Sequence, residues 1–114
     1  MGALRILLAV IFVCITGYTG VVVAHYGFGL LPIFFGDIAA MAWPGQFNVD
    51  FMCFLALSAL WLAWRHHFSA VGIALAVLGF FGGALFLSVY VFCASFSAKG
   101  DMKELFLGSV RANR

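Results

Sequence analysis

The sequence predicts an all-α, polytopic membrane protein with three transmembrane helices, an interfacial or re-entrant helix between the first and the second, and a short amphipathic C-terminal helix. Two observations predict this class. Apolar residues make up 66% of the 114 residues and charged residues only 9%, so the chain cannot solvate the surface of a water-soluble domain. Uncharged runs long enough for one crossing, about 20 residues, alternate with short polar segments. We therefore expect one integral membrane domain, residues 1–114, surrounded by lipid.

Residues 6–24 are the first predicted transmembrane helix. This run of 19 residues contains no charge and as a helix would be about 28 Å long, close to the thickness of the hydrocarbon core. It is longer than the apolar core of a typical secretory signal and lacks a small-x-small cleavage motif, so we expect a retained anchor helix. His25 and Tyr26 then mark its exit into the interface.

The next segment, residues 27–43, is apolar but rich in helix-breaking residues. Gly27, Gly29, Pro32 and Gly36 lie in it, together with Asp37. Proline suits the first turn of a helix, so we expect a short helix over residues 33–43 that lies in the interface or dips into the bilayer. The alternative is that this segment crosses the membrane and gives four spans in all.

The second predicted span covers residues 48–64. Pro44 and Gly45 are expected to end the preceding helix, Asn48 to cap the new one, and Asp50 to lie near the positive end of its dipole. Aromatic anchors and basic residues mark the far end of this span: Trp61, Trp64, Arg65, His66 and His67.

Residues 69–97 are the third predicted span, an uncharged run of 29 residues that exceeds one perpendicular crossing and indicates tilt. Its small residues recur at helical spacing and form one predicted packing face, which includes a GxxxG pair: Gly72, Ala76, Gly79 and Gly83. The face could contact another span of the same chain or a partner chain, and the sequence leaves both open.

A short tail helix is predicted over residues 101–107. Asp101 and Glu104 have the spacing of an acidic variant of the capping box. Gly108 is expected to end this helix, which we place in the interface.

The basic residues of the short loops and those of the tail predict opposite orientations in the membrane. With three spans, Arg5 and Arg65 share a side and the loop between the first two spans has no Lys or Arg, which places the N-terminus in the cytoplasm. The tail then carries four cations on the opposite side, against the rule: Lys99, Lys103, Arg111 and Arg114. Four spans would satisfy the rule better, but helix length and the breakers favour three.

Polar residues at membrane depth are the first candidates for a functional site. Asp37, Asn48 and Asp50 lie in or beside apolar segments, and a buried carboxylic acid could relay protons. All three lie near predicted helix ends, where water and backbone N–H groups can satisfy them. We therefore favour capping and interface solvation over transport chemistry.

The three histidines are the candidates for a cofactor site. His66 and His67 are adjacent, so their side chains diverge on a helix and do not share a metal. A bis-histidine haem or a pigment would need His25 as the partner, which the three-span topology places on the opposite membrane face. The four-span alternative would keep that pairing, so the three histidines stay candidates and the cofactor stays open, although we favour none.

Other chemistry finds little support in the sequence. No Ser, Cys or Thr is followed or preceded by a base at a spacing typical of a catalytic nucleophile, and no metal-ligand or phosphate-loop pattern occurs. We therefore predict no catalytic residues and no metal site. The net charge of +2 is too small and scattered for nucleic-acid binding. Cys14, Cys53 and Cys93 lie in apolar runs, where a thiol acts as a small packing residue.

The block WPGQFNVDFMCFLALSALWLAWRHHFS, residues 43–69, together with the glycine-containing third span and the LeuPheLeuGly tail, resembles a family of short bacterial inner-membrane proteins known only as a domain of unknown function. The resemblance implies a bacterial source, a location in the inner membrane and a three-helix layout. It implies no activity and no site residues.

These patterns lead to three expectations about function. We expect a non-enzymatic accessory or assembly subunit that packs laterally against a larger membrane complex, such as a respiratory or photosynthetic one, or against itself. The alternative is a small transporter or channel for solutes, ions or protons that uses Asp37 or Asp50. A haem- or pigment-binding electron carrier is the least favoured.

Overall fold

The computed structural model describes residues 1–113, and every regular element in that range is a helix. Three helices are long and apolar enough to cross a membrane, as the sequence predicts. The six helices, in chain order, are α1 Gly2–Tyr26, α2 Leu30–Ala40, α3 Trp43–Arg65, α4 Ala70–Ser97, α5 Met102–Leu107 and α6 Ser109–Ala112.

The short helix α2 is shifted three residues toward the N-terminus from the predicted range 33–43. Pro32 lies in its first turn, where a residue without an N–H group costs no helical hydrogen bond. The helix ends at Ala40 because Met41 adopts a left-handed conformation, with φ of 53°. Trp43, expected at the end of this helix, instead begins the next one.

The start of α3 corrects a second expectation. Pro44 and Gly45 do not separate the two helices but lie in the first turn of α3, and Asn48 is inside the helix rather than at its cap. The reason is that proline is as well suited to begin a helix as to end one. Gly45 is buried against α2, where a side chain would collide with the backbone carbonyl of Asp37.

The helix α4 is broken at Gly83, whose φ of 57° and ψ of −141° are not helical. Gly72 packs against Cβ of His66, yet Oη of Tyr90 lies 2.5 Å from Nε2 of the same histidine. Residues 72 and 90 would be about 27 Å apart along one straight helix. The chain therefore reverses at Gly83, and residues 70–82 and 84–97 form two half-helices that lie side by side.

This reversal corrects the prediction of a single tilted span with a GxxxG face. Gly83 has a backbone conformation that is essentially restricted to glycine, so it joins two helices and does not continue one face. A Cβ atom on Gly82 would lie 2.6 Å from Cβ of Phe86, and one on Gly79 would lie 3.7 Å from its ring. The two half-helices approach closely because these residues have no side chains.

The helices form an open bundle in which α4 lies between α1 and α3, and α2 packs on α3. Ser69 caps α4 by accepting a hydrogen bond from the backbone of Gly72 at 3.2 Å. The tail helices α5 and α6 fold back over the end of α3. The small core at this end contains Ala94, Ala98 and Leu105, with Met1 and Leu4 packed against it.

Candidate functional site

The polar side chains of the bundle gather at the end where α3 terminates. Tyr90, from the second half of α4, is the centre of this cluster. Its hydroxyl oxygen accepts a hydrogen bond from Nη1 of Arg65 at 2.9 Å and lies 2.5 Å from Nε2 of His66. Because Arg65 can only donate, the proton of the Tyr90 hydroxyl is free to be donated to the histidine.

The histidine of this cluster favours its neutral form. Burial lowers the pKa of His66 below 6.5, and the neighbouring charges of Arg65 and His67 lower it further. A neutral ring can accept the hydroxyl proton of Tyr90 at Nε2. The lowered pKa of His66 and its hydrogen bond with Tyr90 therefore both favour the neutral ring.

Aromatic rings surround the Tyr90 ring. Phe86 stacks on it with a centroid distance of 6.2 Å, and Trp61 meets it edge-on at 5.9 Å. The Trp61 ring also reaches the tail, since its Nε1 donates to the backbone carbonyl of Phe106 at 3.0 Å. These contacts fix Tyr90 between α3, α4 and the tail.

Two arginines attach the tail to the end of α3. Arg65 Nε donates to the carbonyl of Leu105 at 2.7 Å, and Arg111 donates to the carbonyl of Trp64 while its guanidinium lies over the Trp64 ring. Gly108, with φ of 84°, allows the close approach, because a Cβ atom there would lie 3.1 Å from the carbonyl oxygen of Arg65. Backbone carbonyls are thus the acceptors that hold the tail.

The N-terminus of α1 reaches the same end of the bundle. Arg5 donates from Nε to Oγ of Ser95 at 2.9 Å and from Nη2 to its carbonyl at 3.2 Å, and it lies over the ring of Phe96. Further along α1, Leu8 and Phe12 share a cleft with Ser88 of α4. The helix α1 therefore runs antiparallel to the second half of α4.

A cavity of about 380 Å³ opens between the end of α3 and the tail. Basic, hydroxyl and acidic side chains line it, among them Arg65, His66, His67, Ser97 and Glu104. Asp101 lies outside it and caps α5 by accepting a hydrogen bond from the backbone of Lys103 at 3.0 Å.

The three polar candidates from the sequence lie at the opposite end of the bundle, on α2 and α3. Asn48 uses its amide to donate to the carbonyl of Phe34 at 3.1 Å, which ties α3 to α2. Asp50 is two residues further along α3 and exposed, so it points away from the side that Asn48 presents to α2. Asp37 is half-buried on α2. The structure does not bring the three side chains into one cluster.

The histidines are not brought together either. His25 is in the last turn of α1, twenty residues and about 30 Å of helix from Arg5, whereas His66 and His67 follow α3 at the end where Arg5 lies. Among the described residues no group of three His, Cys, Asp or Glu side chains could hold a metal ion. The three cysteines are exposed and unpaired.

The predicted packing face of α4 is directed toward α3 of the same chain. Gly72 and Gly79 are buried, Ala76 is half-buried, and added Cβ atoms on the glycines would meet His66 and Leu62 respectively. Gly83 lies against Phe51 and Leu55, both also on α3. These residues are thus engaged inside the fold.

The outer half of α1 is different, because α4 turns back at Gly83 and does not accompany it. No atom beyond the local helix backbone lies within 4 Å of a Cβ atom added to Gly17 or Gly20. Tyr18 and Tyr26 are mostly exposed, at 74% and 80%. An apolar cleft of about 600 Å³ lies between this half of α1 and the start of α2.

No protein-family model, curated protein or solved structure matches the chain. The resemblance to the bacterial domain of unknown function therefore stays a prediction.

Sequence reasoning missed the cluster around Tyr90 and the Arg5–Ser95 contact. One signal was present: Tyr90 is the only tyrosine in the 29-residue apolar run 69–97, and a buried phenol needs a hydrogen-bond partner. The partners themselves come from distant parts of the chain, so no spacing in the sequence points to them.

Proposed function

We propose that this protein is a non-enzymatic accessory or assembly subunit of the bacterial inner membrane, which packs laterally against a larger membrane complex or against another copy of itself. The observation that supports the proposal is the outer half of α1, residues 16–26, which has small residues and open surroundings at Gly17 and Gly20. Thr16 and Gly20 are one turn apart and form a small-xxx-small pair. In lipid, close backbone approach at such positions is a main source of helix association.

We place the lateral surface on α1 because the small residues of α4 are already occupied by contacts within the chain. Those residues contact α3, so replacing Gly79 or Gly83 would disturb the fold and could not isolate an effect on assembly. Gly17 and Gly20 have open surroundings, and larger side chains there leave the intramolecular contacts intact. A change in assembly can then be assigned to the lateral surface.

The experiment is native electrophoresis and mass spectrometry of the protein extracted from its own membrane in a mild detergent. The variant Gly17→Ile/Gly20→Ile should lose the co-purifying subunits or the oligomer that the unchanged chain retains, because branched side chains block close approach. Gly36→Ile is the matched control, since Gly36 is also helical and has open surroundings. An assembly that survives in Gly17→Ile/Gly20→Ile, or that both variants disrupt equally, would overturn the proposed surface.

A further inference from the structure

The charged residues of the chain are divided between the two ends of the bundle. No Lys or Arg occurs between residues 6 and 64 or between residues 66 and 98. The far end, formed by α2 and the first turns of α3, carries only the carboxylates of Asp37 and Asp50. The end that holds the Tyr90 cluster contains two acidic residues, Asp101 and Glu104, and all five basic residues of the described chain, so its net charge is positive: Arg5, Arg65, Lys99, Lys103 and Arg111.

The reversal at Gly83 is what brings these cations together. Arg5 at the start of α1 contacts Ser95, Arg65 at the end of α3 contacts Tyr90, and Arg111 in the tail contacts Trp64. Had residues 70–97 continued as one straight helix, the tail would begin about 40 Å from the end of α3. Lys99, Lys103 and Arg111 would then lie at the acidic end.

The lengths of the helices agree with a hairpin that does not cross the bilayer. The half-helices 70–82 and 84–97 are each about 20 Å long, short of the roughly 30 Å of the hydrocarbon core, whereas α1 and α3, with 25 and 23 residues, exceed it. Non-helical backbone at membrane depth is tolerated where protein covers it. Phe51 and Leu55 cover Gly83, 3.3 and 3.6 Å from the position of an added Cβ atom.

We infer that residues 70–97 form a re-entrant hairpin, which enters and leaves the membrane at one face, and that the cationic end completed by this hairpin contacts the anionic phospholipid headgroups of that leaflet. Only α1 and α3 then cross the bilayer. The start of α1 and the tail helices α5 and α6 lie on one side, together with every Lys and Arg of the described chain, which is the distribution that the positive-inside rule requires of the cytoplasmic face.

The aromatic residues at this end agree with its position at the headgroups. Trp61, Trp64 and Tyr90 lie beside the cations, and tryptophan and tyrosine favour the boundary between lipid and water. Lys99 and Lys103 are exposed, so their ammonium groups can reach lipid phosphates. The hairpin and the lipid contact are independent of the lateral partner of α1.

Single-cysteine labelling of the full chain in sealed membrane vesicles tests the hairpin. In a background of Cys14→Ala, Cys53→Ala and Cys93→Ala, a membrane-impermeant maleimide is applied to right-side-out and to inside-out vesicles of Ala3→Cys, Phe28→Cys and Asn113→Cys. Labelling after solubilisation in detergent gives the total for each variant. Ala3→Cys and Asn113→Cys should react only in inside-out vesicles, and Phe28→Cys only in right-side-out ones. Reaction of Asn113→Cys in the same vesicles as Phe28→Cys would overturn the hairpin.

The lipid contact is tested in nanodiscs made of phosphatidylcholine alone or mixed with phosphatidylglycerol. The anionic lipid should raise the thermal unfolding midpoint, and Lys99→Gln/Lys103→Gln should lose most of that rise. Asp50→Asn, at the other end, should keep it. Equal midpoints in the two lipids, or a rise that the double variant keeps in full, would contradict a contact with anionic headgroups.

Discussion

The hydroxyl of Tyr90 lies 2.5 Å from Nε2 of His66, and this contact shows the path of the chain through α4. Because Gly72 also packs against His66, residues 72 and 90 must lie at the same level of the bundle. Only a reversal between them allows that, and Gly83 is the one residue of α4 with a non-helical backbone. The position of the C-terminal tail follows from this one reversal.

The substitution Gly83→Ala should destabilise the protein by about 1–3 kcal/mol, because an L-residue is strained at a φ of 57° and a ψ of −141°. The free energy of unfolding can be measured by titration with a denaturing detergent in mixed micelles. Gly20→Ala is the control, since Gly20 is helical with open surroundings and alanine there should be neutral or stabilising by up to about 1 kcal/mol. Equal effects of the two substitutions would contradict a special backbone at Gly83.

The substitution Tyr90→Phe should cost about 1–3 kcal/mol of unfolding free energy. It removes the hydroxyl that Arg65 and His66 share and leaves the ring contacts with Phe86 and Trp61 in place. Tyr18→Phe is the matched control, because Tyr18 is 74% exposed. If both variants unfold at the same denaturant concentration as the unchanged protein, the hydrogen bonds of Tyr90 do not stabilise the fold.

Stability should depend on pH through His66. The pKa of this residue is lowered in the folded protein, so the unfolded chain binds its proton more readily, and the unfolding free energy contributed by His66 falls as the pH drops below 6.5. This contribution is fully present above pH 6.5. A denaturation series across this range should show the decrease, and His66→Gln should have a shallower slope. An identical slope in the variant would assign the pH dependence to other groups.

Docking of the tail should depend on Leu105, which is 0% exposed and packs against Ala94 and Ala98. Truncation in Leu105→Ala leaves a cavity and should cost about 2–5 kcal/mol. The tail should then detach, and trypsin should cleave after Lys103 faster than in the unchanged protein. Val110→Ala, at a residue that is 55% exposed, should leave the cleavage rate unchanged. Equal rates in all three proteins would show that Leu105 does not hold the tail.

The helical class and the three long apolar runs could be predicted from the sequence, because apolar composition and the length of an uncharged run indicate that a helix is surrounded by lipid. The path of α4 could not. A Gly82–Gly83 pair in an apolar run has the same hydropathy whether the chain continues or reverses, and the outcome depends on the dihedral angles of one residue. The run of residues 69–97 is longer than one perpendicular crossing needs, but a tilted single helix accounts for that length as well as a hairpin does.

The candidate site was less predictable than the fold, for a related reason. Proline favours the first turn of a helix and also follows the end of one, so the sequence predicts Pro44 and Gly45 at the end of α2, whereas they begin α3. The contacts of Arg5 with Ser95 and of Arg65 with Tyr90 join residues far apart in sequence. Such pairs have no local pattern, and only the reversal at Gly83 brings them within reach.

The distance between spin labels at positions 70 and 97 tests the reversal most directly. Both residues are exposed, and Ala70→Cys/Ser97→Cys can be labelled in the cysteine-free background and measured in nanodiscs by pulsed electron paramagnetic resonance. A hairpin of packed half-helices predicts roughly 10–20 Å, including the arms of the labels. A distance of about 40 Å, the length of an uninterrupted helix of this size, would contradict it.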